Sequence, residues 1–217
     1  MNIEPIAFAE NDFTEKFGIP RQCGMTQLKT KITLLPGFAD PNAFRGLEDF
    51  SHIWLIWGFS KAEYKDFSPT VRPPRLGGNV RMGVFATRSP FRPNSLGLSV
   101  VKIEEISGCT ITVSGADLAN GTPIYDIKPY LAYVDSIPEA SNGWALSDTS
   151  AVLDVVFPEE LKKLIPEEKQ AALAELLSQD PRPQYQNAPG RVYTMAFGKR
   201  QVSFTVDGKT LTVTKIE

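Results

Sequence analysis

The sequence LSVVKIEEI at residues 98–106, followed after a short break by TITVSG at residues 110–115, decides the fold class of this chain. Both runs are rich in β-branched residues and are bounded by glycine or serine, a pattern typical of β-strands. Because no helical period separates the strand-like runs, they predict an antiparallel β-barrel or sandwich and not alternating strands and helices. Runs of the same kind occur at residues 3–9, 31–35, 53–59 and 82–86.

The last third of the chain follows a different pattern. Leu161, Leu164 and Ile165 have helical spacing after Pro158, and Pro166 stands where a second helix would begin. This second helix is predicted to end at the DPRP sequence, because the residue before a proline resists the α conformation.

The tail returns to β-structure. Residues 201–206 and 210–216 alternate around the Asp207-Gly208 pair, which predicts a hairpin. Residues 135–180 hold ten acids and three lysines, a shift in composition that places a boundary near residue 140. We therefore predict a mainly β protein, with an antiparallel β-domain over residues 1–140 and a small α+β domain over residues 141–217.

The composition excludes several classes of protein. The chain has 217 residues, 42% of them hydrophobic and 22% charged, unlike disordered, collagen-like or coiled-coil proteins. Cys23 and Cys109 form no CxxC pair, and His52 is the single histidine, so we expect a reducing compartment and no metal site. The first ten residues do not resemble a signal peptide, and the longest apolar run is far short of the roughly 20 residues of a membrane helix. These features predict a cytoplasmic protein with no membrane segment.

The positive charge is unevenly distributed. The net charge is −2, yet residues 67–103 contain no acid and carry +6, which leaves −8 for the rest of the chain. Half of the ten arginines lie in this window, which predicts anion-binding guanidinium groups on loop-rich backbone. The alternative is that these arginines are dispersed and merely solvated.

Familiar catalytic motifs do not account for the chain. His52 lies in an apolar strand, where a core or edge histidine is expected in place of a catalytic triad. Gly77, Gly78 and Gly83 do not match G-x-G-x-x-G, and no P-loop is present, so hydride and phosphoryl transfer are disfavoured.

One polar cluster does favour proton chemistry. Asp126, Lys128 and Tyr130 alternate, so an extended backbone would project all three onto one face. An acid, an amine and a phenol that converge could move a proton. The alternative is a surface salt bridge worth about 0–1 kcal/mol.

Six further segments are long and specific: PRQ (20–22), RGLEDFSHIW (45–54), VRPPRLGG (71–78), RMGVFATRSPFRPN (81–94), DLANGTPIYDIKPY (117–130) and QDPRPQY (179–185). Together they resemble the TrmO, or TsaA-like, family of tRNA methyltransferases. The resemblance implies a small single-sheeted β-barrel that binds S-adenosylmethionine and acts as a homodimer. It also implies methylation of the exocyclic N6 of threonylcarbamoyladenosine in the anticodon loop of a threonine tRNA.

The resemblance also implies the residues of the cofactor site. Three of them, Ser60, Lys61 and Asn120, differ from the residues expected in close relatives. These differences keep open a noncatalytic RNA-binding module with the same barrel, and a methyltransferase for another base or a small molecule also stays open. The implied cofactor residues are Pro20, Arg21, Gln22, Ser60, Lys61, Arg88, Leu98, Leu118, Ala119, Asn120 and Gly121.

The remaining chemistry requires a base and an anion-binding surface. We predict that Asp126 or Tyr130 takes the proton of the target nitrogen, with Lys128 keeping its partner ionised. Phe85 and Phe91 could stack on a base, but for Phe85 the favoured prediction is a place in the barrel core. The residues expected to contact tRNA phosphates or the substrate carboxylate are Arg72, Arg75, Arg81 and Arg92.

Overall fold

The structure is a computed structural model that describes residues 2–61, 67–145, 152–182 and 190–217. Its first part is almost entirely β, with one short helix, α1 (Ala132–Asp135), after the last of the strands. The strands are β1 (Ala7–Glu10), β2 (Lys29–Leu34), β3 (His52–Gly58), β4 (Thr70–Val71), β5 (Met82–Gly83), β6 (Leu96–Ser107), β7 (Thr110–Ser114) and β8 (Pro123–Pro129).

Six of these strands close into an antiparallel barrel in the order β1-β2-β7-β6-β3-β8. Alternation along each strand decides which side chains face inward: in β3, Ile53 and Leu55 are fully buried, whereas Trp54 and Ile56 are partly exposed. Ile32 and Ile111 complete the interior from β2 and β7. The predicted mainly β fold is confirmed, and of the two predicted architectures the barrel is the one formed.

A second sheet follows, with strand order β10-β11-β12-β9. Helix α3 packs Leu173 and Leu177, both fully buried, against this sheet. The predicted hairpin is confirmed, because Asp207 pairs with Thr210 across the turn. The elements are β9 (Asp154–Val156), α2 (Glu159–Lys162), α3 (Glu167–Ser178), β10 (Tyr193–Phe197), β11 (Arg200–Asp207) and β12 (Thr210–Ile216).

Several predicted boundaries are wrong for identifiable reasons. The strand predicted over residues 3–9 begins only at Ala7, after Pro5, which has no N–H to donate to a ladder. The strand predicted over residues 82–86 ends at Gly83 because residues 84–86 turn into a 3-10 helix, closed by the Thr87 N–H donating to the Val84 carbonyl at 3.1 Å. Helix α3 ends at Ser178, as predicted from the prolines at positions 181 and 183. Residue 183 itself lies outside the described ranges.

The two parts of the chain share a core. Phe13 and Leu28 precede most of the barrel in sequence but pack with the second sheet and α3. Asp12 joins the same contact, with its carboxylate 2.8 Å from Lys169 Nζ. The segment between β1 and β2 therefore connects the barrel to the second sheet. Across the described residues, every helix falls short of the length and apolar character needed to traverse a bilayer.

Candidate functional site

A cavity of about 680 Å³ opens beside strands β3 and β6 of the barrel. Its other walls come from the segments around residues 16–23, 59–61, 87–92 and 117–122. This volume lies within the range of roughly 300–1,000 Å³ that is typical of small-molecule sites. The cavity is therefore large enough for a ligand of nucleoside size.

Strand register builds the apolar wall of the cavity. Trp54 pairs with Val100, and Gly58 pairs with Leu96, so residues on the outward face of β3 and β6 lie side by side. Leu98 belongs to the same face and is 55% exposed. Trp54, Leu96, Leu98 and Val100 together give the cavity a contiguous apolar wall.

Gly97 allows this wall to pack. It faces inward opposite Trp57, and a Cβ placed on it would lie 2.2 Å from Cε2 of that indole. Only glycine leaves room for the Trp57 ring, which also contacts Phe59 edge-on with 4.4 Å between ring centroids. The position of the indole thus depends on the absence of a side chain at Gly97, which precedes Leu98 in the cavity wall.

Cationic side chains surround the apolar wall. Arg88 donates a hydrogen bond to Gln22, and Arg21 donates to the carbonyl of Asp180 at 2.7 Å. Arg92 donates to the carbonyl of Thr87 at 3.1 Å. These bonds fix guanidinium groups at the edge of the cavity, where they suit a carboxylate or phosphate.

A chain of hydrogen bonds connects the barrel interior to the cavity. Trp57 Nε1 donates to Ser99 Oγ at 2.9 Å, and Ser99 Oγ donates to Asp117 Oδ1 at 2.5 Å. Sequence reasoning included Asp117 in a quoted segment but gave it no role. The sequence did contain a signal for Asp117, because it is the only acid between Glu105 and Asp126.

Burial raises the pKa of the Asp117 carboxyl above its ordinary value, although the Ser99 hydroxyl and nearby backbone N–H groups oppose the shift. Burial likewise raises the pKa of the Cys23 thiol, another residue of the cavity. The fold therefore holds the Asp117 carboxyl in an environment that disfavours its ionised form.

We expect Asp117→Asn to raise the free energy of unfolding of the ligand-free protein near neutral pH. The folded wild type binds the Asp117 proton more tightly than the unfolded chain, so its stability falls as the pH rises through the raised pKa. The advantage of the amide should shrink as the pH is lowered below the usual carboxyl range. Urea denaturation of both proteins at neutral and acidic pH measures this, and an advantage that grew towards acidic pH would contradict it.

The cavity brings together most of the predicted cofactor residues. Three of them do not line it. Leu118 is fully buried. The Asn120 side chain accepts a hydrogen bond from the Asn11 N–H at 3.0 Å, and the Gly121 N–H donates to the Ala9 carbonyl at 2.8 Å. These three residues hold the loop in place behind the wall. The predicted residues that line the cavity are Pro20, Arg21, Gln22, Ser60, Lys61, Arg88, Leu98 and Ala119.

The predicted catalytic cluster lies next to the cavity and not inside it. Lys128 pairs with Trp54 and Asp126 pairs with Ile56 across β3 and β8, so both project from the outward face. Lys128 Nζ lies 2.8 Å from Asp126 Oδ2, and the Tyr130 ring centroid lies 5.6 Å from that of Trp54. The one-face prediction is confirmed, and Trp54 is the residue that the cluster shares with the cavity.

The predicted RNA-binding arginines occupy two places. Arg92 lines the cavity, whereas Arg72 and Arg81 are exposed beside the β4–β5 hairpin, where Arg81 donates to Thr70 Oγ1 at 2.8 Å. The side chain of Arg75 lies outside the described structure. The favoured prediction that Phe85 belongs to the core is wrong, because Phe85 is 73% exposed.

Two further predictions concern histidine and metal. His52 Nδ1 lies 2.9 Å from Ser51 Oγ, and its ring meets Tyr130 edge-on at the barrel surface, so the expected edge histidine is confirmed. Within the described ranges, no group of three His, Cys, Asp or Glu residues could hold a metal ion.

The fold and the cavity define a class of protein: a closed β-barrel with an external pocket for a small ligand, bordered by a cationic surface. Comparison with known families makes this specific. The chain belongs to the tRNA-methyltransferase O family, whose N-terminal domain matches residues 8–136 and whose C-terminal domain matches residues 150–217. The resemblance inferred from the sequence is thereby confirmed.

Individual relatives agree with the family. The tRNA (adenine(37)-N6)-methyltransferase of Escherichia coli K12 is 40% identical over 205 residues, which cover 88% of this chain and 87% of the relative. A Pseudomonas aeruginosa protein named putative S-adenosylmethionine-dependent methyltransferase RcsF is 42% identical over 201 residues, 88% of this chain and 87% of that protein. The crystal structure of TrmO from Pseudomonas aeruginosa superposes with a TM-score of 0.82 at 31% identity, covering 100% of this chain and 98% of the other.

Proposed function

We propose that this protein transfers a methyl group from S-adenosylmethionine to the exocyclic N6 of threonylcarbamoyladenosine in the anticodon loop of tRNA(Thr). One observation carries the proposal: Trp54 forms part of the ligand cavity and also packs on Tyr130 beside the Asp126–Lys128 pair. The cavity and the Asp126–Lys128–Tyr130 cluster are thus adjacent on the barrel, which supports a cofactor site next to a proton acceptor. Family membership and the names of the relatives support methylation of adenine 37 in tRNA.

The residues of the cavity fit the proposed cofactor. Trp54 and Leu98 offer an apolar surface for the adenosine, and the Arg21 and Arg88 guanidinium groups suit the carboxylate of its amino-acid part. Asp117 provides a negative charge for a cationic group. When bound, S-adenosylmethionine would supply an electrophilic methyl group on its sulfonium.

The Asp126–Lys128–Tyr130 cluster supplies the base. The N6 of threonylcarbamoyladenosine is a weak nucleophile because the adjacent carbonyl withdraws its lone pair. Lys128 Nζ lies 2.8 Å from Asp126 Oδ2 and holds the carboxylate in place, and Asp126 takes the N6 proton as the nitrogen becomes bonded to carbon. Tyr130, held between Trp54 and His52, fixes the edge of the cluster or serves as the base in place of Asp126.

Positioning provides the rest of the rate enhancement. Orientation of two reactants contributes roughly 7–11 kcal/mol, so the reaction depends on holding the adenine against the cavity mouth. Phe85 and the partly exposed Phe91 are aromatic surfaces available for stacking on an unpaired base. Anticodon-loop bases can be splayed out and stacked in this way without opening a duplex.

The proposed function also includes a homodimeric state and a cytoplasmic location. Tyr133, Val134 and Ile137, just after β8, are 84%, 55% and 60% exposed, an apolar patch that suits a homodimer contact. A tRNA-modifying enzyme of this kind would work in the cytoplasm.

The direct test uses purified protein, labelled S-adenosylmethionine and two threonine tRNA preparations, one with threonylcarbamoyl on adenosine 37 and one without. The proposal expects label in the first preparation only. Equal labelling of both would show that the threonylcarbamoyl group is not required, and would contradict the proposed substrate. Cofactor binding without any labelled RNA would identify a noncatalytic module.

We expect Arg72→Glu combined with Arg81→Glu to weaken tRNA binding and to flatten its dependence on salt. Each lost phosphate contact lowers the slope of log affinity against log salt by about 0.9, so the double variant should lose about 1–2 units of slope. Lys209→Glu, an exposed charge change in the β11–β12 turn, serves as the control. Filter binding over a range of salt concentrations measures both, and equal slopes for the two variants would remove Arg72 and Arg81 from the interface.

A further inference from the structure

Asp117 has an unusual place among the charged groups of the cavity. In the described part of the chain it is the only acid that lines the cavity, and five cations line it as well. A carboxylate in such surroundings is a potential site for a cationic part of a ligand. The five cations are Lys16, Arg21, Lys61, Arg88 and Arg92.

The hydrogen bonds of Asp117 fix it as an acceptor. Ser99 is fully buried and accepts the Trp57 indole N–H at 2.9 Å, so its single hydroxyl proton is directed at Asp117 Oδ1 at 2.5 Å. The backbone N–H groups of Asp117 itself and of Cys23 add to this. Every one of these donors favours the ionised carboxylate.

The cavity links this carboxylate to the proposed reaction. Ser99, which donates to Asp117, faces the barrel interior, whereas Asp126 and Lys128 project from the outward face. Asp117 lines the same cavity as Trp54, whose ring centroid lies 5.6 Å from that of Tyr130. A ligand that fills this cavity would therefore have Asp117 in its lining and the proton-handling cluster next to it.

We propose that Asp117 distinguishes the cofactor from its product by charge: its carboxylate stabilises the sulfonium of S-adenosylmethionine and has no such partner in S-adenosylhomocysteine. The inference rests on the proposed function. In the reaction, the sulfur–methyl bond breaks with its electron pair left on sulfur, a nitrogen–carbon bond forms, and the nitrogen proton passes to the base. The sulfur becomes neutral, so the attraction to Asp117 is lost and release of the product is favoured.

The α-ammonium group is the other cation of the cofactor. It is attached to the same carbon as the carboxylate, which the guanidinium groups of Arg21 and Arg88 suit, so the sulfonium is the cation left for Asp117. Both ligands carry the α-ammonium and only one carries the sulfonium. A comparison of the two affinities therefore separates the two assignments.

The test is isothermal titration of wild type and Asp117→Asn with each of the two ligands. We expect the variant to lose about tenfold in affinity for S-adenosylmethionine and less than about twofold for S-adenosylhomocysteine, as the loss of one close charge pair predicts. The matched control is Glu104→Gln, because Glu104 also accepts a serine hydroxyl, from Ser114 at 2.7 Å, but lies outside the cavity. It should change neither affinity.

A second measurement needs no variant. The groups that act on Asp117 are the Arg88 guanidinium, the Ser99 hydroxyl and the backbone N–H of Cys23, and burial raises the pKa of the Cys23 thiol so that it stays neutral. The preference of the wild type for the charged ligand should therefore fall as the pH drops through the Asp117 titration. Equal losses for both ligands in Asp117→Asn, or a preference independent of pH, would overturn the inference. Failure of the wild type to bind S-adenosylmethionine would overturn the proposed function with it.

Discussion

We expect Asp126→Asn to lower the single-turnover rate of tRNA methylation by about 10²–10⁴-fold, the usual contribution of a general base. The affinity for S-adenosylmethionine stays within about twofold, because Asp126 projects from the outward face beside the cavity without lining it. The ion pair with Lys128 joins side chains that are 44% and 60% exposed, so its loss affects stability little. Rapid-quench assays and calorimetric titration measure the two effects.

The chain offers a matched control for this variant. Glu104 and Lys102 form another acid–lysine pair two residues apart on a barrel strand, at 3.1 Å, away from the cavity. Glu104→Gln should leave the rate unchanged. If Asp126→Asn kept the full rate while Tyr130→Phe lost it, Tyr130 would be the base. If both variants kept the rate, the cluster would have no role in catalysis.

Gly97→Ala destabilises the protein by about 1–3 kcal/mol and weakens cofactor binding. The new methyl group would lie 2.2 Å from the Trp57 ring, which is 6% exposed and tied to Ser99. An overpacked site of this kind forces a rotamer or backbone shift. Here the shift would also move Ser99, which is hydrogen-bonded to Trp57, and Leu98, which follows Gly97 in the cavity wall.

Gly37→Ala is the control for this prediction, since a Cβ on Gly37 meets nothing within 4 Å. It should stay within about 0.5 kcal/mol of wild type. Urea denaturation and cofactor titration of both variants measure the outcome. A Gly97→Ala protein with wild-type stability and affinity would show that the indole can move without consequence.

Strand content and the polar face could be predicted from local sequence. Alternation at Asp126, Lys128 and Tyr130 predicted a shared face, and the structure confirms it because β8 is extended and paired with β3. Closure of the barrel could not be derived from the residues alone, since β1 meets β8 across more than a hundred residues of sequence. Of the candidate architectures, only the family resemblance specified the barrel.

The missed features depend on distant contacts. Phe85 looked like a core residue by its type, but residues 84–86 leave the sheet in a 3-10 turn and expose it. The role of Ser99 emerges only when Trp57 and Asp117, which are distant in sequence, are placed on either side of it. The hydrogen bond that the Asn120 side chain accepts from Asn11, more than a hundred residues away, also could not be read from local sequence.

The central claim is methylation of the threonylcarbamoyladenosine in tRNA(Thr), and mass spectrometry of tRNA from a strain lacking this protein tests it most directly. The account predicts that the methylated nucleoside disappears, that threonylcarbamoyladenosine without the methyl group accumulates, and that wild type restores the methyl group but Asp126→Asn does not. An unchanged nucleoside profile in the deletion strain would contradict the account.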